Sequence, residues 1–238
     1  MNNIIIRIQL LMLGVAFFYT SACAQSGRSL KVISTVAGYK ELIRTDSTRK
    51  LIDLKRDIPS LLFDLRYCTS KNFTQQRLYP EKLTTTYLCG PAALALEAVC
   101  AAAADSGWQV KIFDAYRPYT VTQRMWAVVP DERYAANPAK GSGHNRGIAV
   151  DLTLVDRRNG KDLDMGTGFD NFSDTAHHDF RQLPDAVLAN RLRLRRLLES
   201  HGFKALETEW WHYSWPNDGR FEALDLSFRQ VGKLSRLQ

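Results

Sequence analysis

The segment SGHNRGIAVDLTL, residues 142–154, contains a carboxylate inside what otherwise has the pattern of a buried β-strand. Asp151 falls on the opposite face from an apolar set with a period of two residues: Ile148, Val150, Leu152 and Leu154. A buried carboxylate is costly unless it is paired or binds a metal ion. His144 precedes the strand, and a turn at Arg146-Gly147 can bring its imidazole back beside Asp151. A metal site accounts for this placement better than a salt bridge does.

The length and composition are those of a globular protein. The chain has 238 residues, of which 45% are hydrophobic and 24% charged, which suits one domain with a sizeable core, or a domain with small extensions. The formal charge of +7 is spread along the chain, with one local cluster of arginines at positions 191, 193, 195 and 196. Dispersed basic residues are typical of a solvated surface, and no nucleic-acid-binding motif is present, so nucleic acid is not an expected partner.

The first 24 residues have the pattern of a secretory signal peptide. Arg7 precedes an apolar run over residues 8–19, and an Ala-x-Ala end closes the segment. The run is short for a membrane span, which needs about 20 apolar residues. The alternative is a lipoprotein anchored through a lipid-modified Cys23, although Thr20 fits that cleavage pattern poorly. We therefore expect residues 1–24 to be removed and the mature protein to be exported, either periplasmic or secreted.

Three cysteines follow the expected cleavage site: Cys68, Cys89 and Cys100. No Cys-x-x-Cys pair is present, so a thiolate zinc site is not expected. Cys100 lies in an alanine-rich helical pattern and is expected to be a small core residue. Cys68 and Cys89 flank a polar loop, and in an exported protein they can form a disulfide, a pairing that the sequence leaves open.

Helix and strand patterns are mixed without a regular βαβ order, which predicts an α+β domain over residues 51–238. Residues 25–50 are polar and weakly patterned, typical of a tether or an added N-terminal segment. Within the domain, the patterns predict strands at 61–67 and 108–115, helices at 90–107, 119–128 and 184–202, and a strand or hairpin at 203–215. Loops are expected at 68–87, 129–143 and 155–183, and a loop as long as the last one is more often functional than idle.

A third metal ligand is available in the segment ETEWWHYSW near the C-terminus. His212, together with His144 and Asp151, gives the kind of set that leaves the fourth position of a catalytic zinc to water. A carboxylate near that water can act as general base and then as general acid. Glu209 is the candidate, and Glu207 competes with it because an alternating strand points both glutamates the same way. Three tryptophans are candidates for packing around the site: Trp210, Trp211 and Trp215.

Each of these side chains also has a structural interpretation. His144 can cap a turn, and His212 can be a satisfied histidine of an aromatic cluster. Arg117, in FDAYRPYT, follows a strand, where its guanidinium can stabilise an oxyanion or pair with Asp114 or Asp151; Asp151 can likewise pair with an arginine, at position 117 or 146. Of the remaining histidines, those at 177 and 178 are expected in a loop near the cleft, with little prospect as ligands, and that at 201 at a helix end.

These motifs resemble the zinc D-Ala-D-Ala dipeptidases of the vancomycin-resistance type. SGHNRGIAVDLTL resembles their Ser-x-His-x-x-Gly-x-Ala-x-Asp signature, EWWHY their closing Glu-x-x-His motif, and DAYRP their arginine motif. RYCTSKNFT and MGTGFDNFSDTAHH are also similar to family segments. The matches keep their order over residues 55–215, which makes the resemblance specific.

The resemblance implies a compact α+β fold shared with zinc D,D-carboxypeptidases and the N-terminal domain of hedgehog signals, with a central antiparallel sheet and flanking helices. It implies one Zn²⁺ per chain, held by His144, Asp151 and His212. It makes Glu209 the catalytic base and acid, and Arg117 the stabiliser of the tetrahedral intermediate. It also implies that three further residues form the dipeptide cleft, with the second of them facing the free amino end: Ser142, Asp170 and Tyr67.

The activity that the resemblance implies is hydrolysis of D-Ala-D-Ala or a related D,D-dipeptide. Resistance-type enzymes act in the cytosol, whereas this chain has an export pattern, so we expect it to scavenge dipeptide released from the cell wall. One alternative is a carboxypeptidase or endopeptidase acting on longer peptidoglycan stems. Another is a non-catalytic zinc-containing binding protein, but Glu209 and Arg117 speak against it, since binding alone needs neither.

Overall fold

A computed structural model describes residues 29–236 of the chain. The predicted signal peptide, residues 1–24, lies outside that range, as does the alternative anchor Cys23. Among the described residues, no helix has both the length and the apolar character needed to cross a membrane.

The described chain contains nine strands and six α-helices, connected by loops and short 3-10 turns. The strands are β1 Val32–Ile33, β2 Leu51–Asp53, β3 Leu62–Phe63, β4 Tyr87–Cys89, β5 Trp108–Asp114, β6 Ala149–Asp156, β7 Lys204–Leu206, β8 Glu209–Ser214 and β9 Ala223–Leu224. The helices are α1 Val36–Thr45, α2 Leu54–Asp57, α3 Gly90–Asp105, α4 Tyr119–Val128, α5 Asp185–Glu199 and α6 Phe228–Leu234.

The main sheet has the strand order β3-β5-β6-β8-β7. β3 pairs with β5 in parallel, and the other three pairings are antiparallel. β6 lies in the middle, and all of its residues are buried, including Asp151 and Thr153 on the face opposite the apolar set. Two small sheets, β1 with β9 and β2 with β4, complete the strand pairing. The predicted α+β fold with a central, mainly antiparallel sheet is confirmed.

Helices α3 and α5 cover this sheet and pack against each other. α3 contacts β5, and α5 contacts β7 and β8. Leu96 of α3 and Leu194 and Leu198 of α5 are completely buried in the core. The helix boundaries agree closely with those predicted from the apolar periodicity, and the C-terminal segment forms the predicted hairpin, β7 with β8.

Two parts of the chain have structure that the sequence patterns described only coarsely. The strand expected over residues 61–67 is only β3, because the chain turns into a 3-10 turn at Arg66–Cys68 that directs the buried Tyr67 into the interior. The segment 25–50, for which a tether and an added N-terminal segment were the two alternatives, contains β1 and α1 in its described part, 29–50.

The three cysteines within residues 29–236 are free thiols, and the possible disulfide between Cys68 and Cys89 is not formed. Both residues are buried in the core. Cys100 is buried in α3, as predicted from its alanine-rich surroundings.

Candidate metal centre and active site

Three neighbouring strands place polar side chains in one row across the sheet. Asp114 of β5 lies opposite Asp151 of β6, just after an irregularity in the register. Asp151 in turn lies opposite His212 of β8. Because directly paired residues of neighbouring strands point to the same face of a sheet, this register brings two carboxylates and an imidazole together.

A 3-10 turn, His144–Arg146, brings a second imidazole to this row. The turn ends at Gly147, which has a left-handed backbone with φ of 63°, and a Cβ there would overlap the Leu51 side chain. Asn145 is completely buried, and its amide donates a hydrogen bond to the Arg117 carbonyl at 2.9 Å. This asparagine, which the sequence analysis did not single out, fixes the turn beside the strand end.

The three predicted metal ligands converge on a common point. His144 Nε2 lies 3.4 Å from Asp151 Oδ1, and His212 Nδ1 lies 2.9 Å from the same oxygen. The two ring nitrogens are 3.2 Å apart. Metal–ligand bonds of about 2.0–2.1 Å in tetrahedral geometry place ligand atoms about 3.3–3.4 Å apart. The triangle of two nitrogens and one oxygen therefore fits a tetrahedral divalent cation without rearrangement of the backbone.

Hydrogen bonds behind the cluster fix which ring nitrogen of each histidine faces it. His144 Nδ1 lies 2.7 Å from the Ala115 carbonyl oxygen, to which it donates when protonated. His212 Nε2 lies 3.1 Å from Ser214 Oγ. Such partners on the far side of an imidazole set its tautomer and its orientation. They leave His144 Nε2 and His212 Nδ1 available for a metal.

The electrostatics of the cluster favour a bound cation. Burial alone would raise the pKa of Asp151, but His144 and His212 outweigh burial and lower the pKa of this carboxyl below its usual range. Burial likewise opposes the charged form of His212, yet the hydrogen bond and the charge of Asp151 raise the pKa of the imidazole. A buried carboxylate that stabilises positive charge in its surroundings is suited to a metal cation.

A second carboxylate, Glu209, lies beside the cluster without being part of it. Its Oε2 is 3.9 Å from His212 Nδ1. Without a cation in the cluster, burial raises the pKa of Glu209 to about 7, with His212 acting against the shift and Asp151 reinforcing it. A carboxyl group with a pKa near neutrality can both accept and release a proton.

The competing glutamate, Glu207, faces elsewhere. It lies in the hairpin turn before β8 and forms an exposed ion pair with Arg195 at 2.7 Å. The expectation that both glutamates point the same way was wrong, because the strand begins only at Glu209 and the turn breaks the alternation.

Arg117 forms the predicted pair with Asp114 and also lines the cavity. It is buried, pairs with Asp114 at 2.7 Å, and lies 4.0 Å from Asp151. Asp114 also accepts a hydrogen bond from Tyr79 at 2.7 Å. Burial disfavours the charged guanidinium, but Asp114 holds the pKa of Arg117 well above its usual value. The arginine therefore carries a fixed positive charge at the edge of the cleft.

The cleft also contains the buried carboxyl group of Asp170, in a left-handed backbone conformation. The Tyr67 hydroxyl donates a hydrogen bond to Asp170 Oδ1 at 3.1 Å, while Asp170 Oδ2 is buried with no hydrogen-bond partner among the described residues. Asp170 has a φ of 59°, a left-handed conformation that costs a non-glycine residue about 1–3 kcal/mol and is concentrated at functional sites. Burial and the nearby charges of Asp151 and Glu209 hold the pKa of Asp170 well above its usual range.

One cavity of about 240 Å³ connects these groups. It is smaller than the roughly 300–1,000 Å³ of pockets for drug-sized ligands, so it suits a small substrate. The predicted residues Ser142, Asp170 and Glu209 line it. Its other lining residues, which the sequence analysis did not predict, include Met125 of α4, Leu206 of β7 and two loop aromatics, Phe73 and Tyr134. They reach the cavity through tertiary contacts that a sequence pattern does not encode.

The remaining candidates from the sequence have other surroundings. Trp211 lines the cavity, whereas Trp210 donates a hydrogen bond to Thr167 and the third tryptophan, at 215, packs against Phe203. His178 packs against Tyr213 instead of joining the cluster. The helix-end histidine, at 201, lies 2.8 Å from the carbonyl oxygen of residue 197, as expected for a structural role.

Comparison with known proteins supports one family. A sequence model described as peptidase M15, D-Ala-D-Ala dipeptidase, matches residues 47–232. The chain is 36% identical over 177 residues to a D-alanyl-D-alanine dipeptidase of Escherichia coli, covering 74% of this chain and 90% of that protein. It is 31% identical over 169 residues to one of Enterococcus faecalis, covering 63% and 84%. With a solved structure of the LdcB LD-carboxypeptidase it shares 20% identity over 59% of this chain and 64% of that one, with a TM-score of 0.36.

Two imidazoles and a carboxylate around one point, with a free carboxyl group beside them, are typical of a hydrolytic metal centre. The class that the site and the sequence relatives define is that of the metallopeptidases. Within that class, the chain belongs to the D-Ala-D-Ala dipeptidase family.

Proposed function

We propose that the protein is a zinc-dependent dipeptidase that hydrolyses D-alanyl-D-alanine or a closely related D,D-dipeptide. The observation that carries this proposal is the juxtaposition of the His144, Asp151 and His212 cluster with Glu209 in a cavity of about 240 Å³. The names of the relatives in E. coli and E. faecalis support the choice of substrate.

Zinc suits this donor set, since two ring nitrogens and one carboxylate oxygen with an open fourth position are common in its catalytic sites. When bound, zinc supplies Lewis-acid polarisation of the scissile carbonyl and makes water acidic enough to react near neutral pH. His144, Asp151 and His212 are the residues that would hold the ion.

Glu209 moves the proton in the proposed reaction. Its carboxylate accepts a proton from the attacking water as the new bond forms between the water oxygen and the peptide carbon. The peptide C–N bond then breaks, and Glu209 delivers the proton to the leaving amine. A pKa of about 7 for Glu209 supports both transfers, because neither protonation state is strongly favoured at neutral pH.

Arg117 stabilises the negative charge that develops on the carbonyl oxygen during this step. Its guanidinium is fixed by Asp114 at 2.7 Å, so little reorganisation is needed as charge develops. In the same cavity, the unpartnered oxygen of Asp170 accepts the substrate ammonium. Tyr67 orients Asp170, and Ser142 contributes a hydroxyl to the dipeptide site.

The proposed physiological role is the recovery of dipeptide released from the cell wall. The support is the export pattern in residues 1–24, since an exported enzyme meets released wall fragments and not newly made cytosolic dipeptide. Soluble export is favoured over anchoring through Cys23. Fractionation of cells that express the full chain tests this, and a cytosolic location would contradict it.

The test of the activity uses mature protein loaded with zinc. We expect release of free D-alanine from D-Ala-D-Ala, loss of activity with a chelator and recovery with added Zn²⁺. Glu209→Gln should retain the metal and lower kcat by about 10²–10⁴-fold, whereas the matched control Glu207→Gln should leave kcat within a fewfold. Absence of hydrolysis by the zinc-loaded protein would contradict the proposal.

A further inference from the structure

Three aromatic side chains from three different loops form a continuous row, which we call the aromatic row: Phe73, Phe172 and Tyr134. The rings of Phe73 and Phe172 are 5.1 Å apart in an edge-to-face arrangement. Phe172 and Tyr134 are stacked, with centroids 4.8 Å apart and planes at 25°. These are favourable geometries for aromatic pairs, so the row joins the three loops.

The aromatic row begins beside Tyr67, the hydrogen-bond partner of Asp170. Phe73 packs edge-to-face on Tyr67 with centroids 6.3 Å apart, and the Tyr67 hydroxyl binds Asp170. Phe172 follows Asp170 by two positions in the same loop. Phe73 and Tyr134 both line the cavity. The row is therefore a wall of the cavity next to Asp170.

The row is also supported at the end formed by Tyr134. The Arg133 guanidinium lies 5.0 Å from the centroid of the Tyr134 ring, within reach of a cation–π contact. Asp131 pairs with the same guanidinium at 2.6 Å. The loop that carries Tyr134 therefore places an exposed ion pair against this ring.

We propose that the aromatic row determines substrate length: it closes the cleft beyond the substrate's amino group and selects dipeptides over peptides extended on the amino side. This inference rests on the proposed function, in which Asp170 binds the substrate ammonium. A residue added on the amino side has to pass Asp170, and there it meets the rings of Phe73 and Tyr134. Admission of a longer peptide requires separation of at least one aromatic pair.

The test compares D-Ala-D-Ala with Gly-D-Ala-D-Ala, which adds length without a side chain. The ratio of kcat/KM for the tripeptide to that for the dipeptide is measured in zinc-loaded wild type, Tyr134→Ala and Phe172→Ala. We expect the ratio to rise about tenfold in each alanine variant, because each variant removes one or two aromatic contacts that a longer peptide would otherwise have to separate. The matched control Tyr134→Phe keeps the ring and should retain the wild-type ratio.

The outcomes separate this inference from the function on which it rests. An unchanged ratio in Tyr134→Ala and Phe172→Ala, with dipeptide hydrolysis intact, overturns the role of the aromatic row alone. Absence of dipeptide hydrolysis in the wild type overturns the proposed function and the row's role with it. If the alanine variants melt at much lower temperature than the wild type, Tyr134→Leu, which keeps an apolar contact without the ring, is measured in their place under the same criteria.

Discussion

Asp151 is a carboxylate buried in the central strand of the sheet, where it is stabilised by its surroundings. It is 3% exposed, and its oxygen lies 2.9 Å from His212 Nδ1. Asp151→Asn keeps the shape but removes the negative charge and one strong ligand atom. We expect the affinity for zinc to fall by at least about 100-fold, since even residues behind a metal ligand contribute 10–100-fold. Competition with a chromophoric chelator measures this affinity.

The matched control is Asp156→Asn, at the end of the same strand. Asp156 is also buried, but its carboxylate pairs with Arg158 in a turn at 2.8 Å. Its substitution should leave the zinc affinity unchanged. Equal losses of affinity in the two variants would indicate that Asp151 acts through strand stability and not as a ligand.

The three described cysteines are expected to be unreactive in the native protein. Burial raises the pKa of Cys68 to about 11 and those of Cys89 and Cys100 to about 12. Thiol reagents attack the thiolate, which is scarce at pH 8 in groups with such pKa values. A colorimetric thiol assay at pH 8 should detect none of these thiols in the native state and all three after denaturation. Failure to detect Cys68 and Cys89 in the denatured, unreduced protein would indicate a disulfide.

The same thiols make stability depend on alkaline pH. Their folded pKa values exceed the unfolded value of about 8.5, so the unfolded chain loses protons first. Their contribution is therefore complete below pH 8.5 and is lost as the pH rises through 11–12, at up to about 1.4 kcal/mol per thiol and pH unit. Urea unfolding at pH 8 and pH 10.5 should show a smaller loss in Cys100→Ala than in the wild type; an equal loss would contradict this origin.

Some residues of the site can be identified from the sequence alone, and others cannot. His144 and Asp151 are predictable because they are costly to bury without a ligand and lie only seven residues apart around one turn. His212 is distant in the chain and is predictable only from its residue type and from the Glu-x-x-His motif. Asn145 and Tyr134 are not predictable in this way. Their roles depend on contacts with Arg117 and Phe172, which come from distant parts of the chain.

At the scale of elements, length decides what the sequence predicts. α3, α4, α5 and the long strands β5 and β6 extend over enough residues for an apolar period to be recognised. The two-residue strands β1, β3 and β9 have no period, and they form only because a partner strand is present. The register that aligns Asp114, Asp151 and His212 includes an irregularity in β5, which an alternation pattern does not encode.

A substitution in the turn between His144 and β6 can show how much the contact of this turn with β2 contributes to stability and to the position of His144. Gly147 has a φ of 63°, and a Cβ there would overlap Leu51 in β2. Gly147→Ala should cost about 1–2 kcal/mol for the left-handed backbone and a further 1–3 kcal/mol for the overlap. It should also weaken zinc binding, because the turn carries His144. Urea unfolding and chelator competition measure the two effects.

Gly160 provides the matched control for this substitution. It has a similar φ of 69°, and a Cβ there would meet nothing within 4 Å. Gly160→Ala should therefore show only the backbone cost of about 1–2 kcal/mol and normal zinc binding. If the two variants lose equal stability, the contact between the turn and β2 contributes nothing.

For the molecule as a whole, the N-terminal segment is the part whose packing the sequence pattern predicts least well. The family match begins at residue 47, yet the preceding residues contribute β1, which pairs with β9, and α1, which buries Tyr39 and Leu42. Leu30 packs so closely against Gly141 that a Cβ on this glycine would lie 2.8 Å from it. The polar composition of the segment does not predict this packing, because only two residues of α1, Tyr39 and Leu42, are buried against the rest of the protein.

Tyr39 allows a direct test of whether this segment is part of the folded domain. Its side chain is 1% exposed, and its hydroxyl oxygen accepts a hydrogen bond from the Leu51 amide at 2.7 Å. Tyr39→Ala should therefore lower the free energy of unfolding by about 3–5 kcal/mol, the range for loss of a large buried aromatic side chain. Lys40→Ala, at the exposed neighbouring position of α1, should change it by no more than about 0.5 kcal/mol. Urea unfolding of the mature protein compares them, and a loss below about 1 kcal/mol in Tyr39→Ala would mean that the segment is a tether after all.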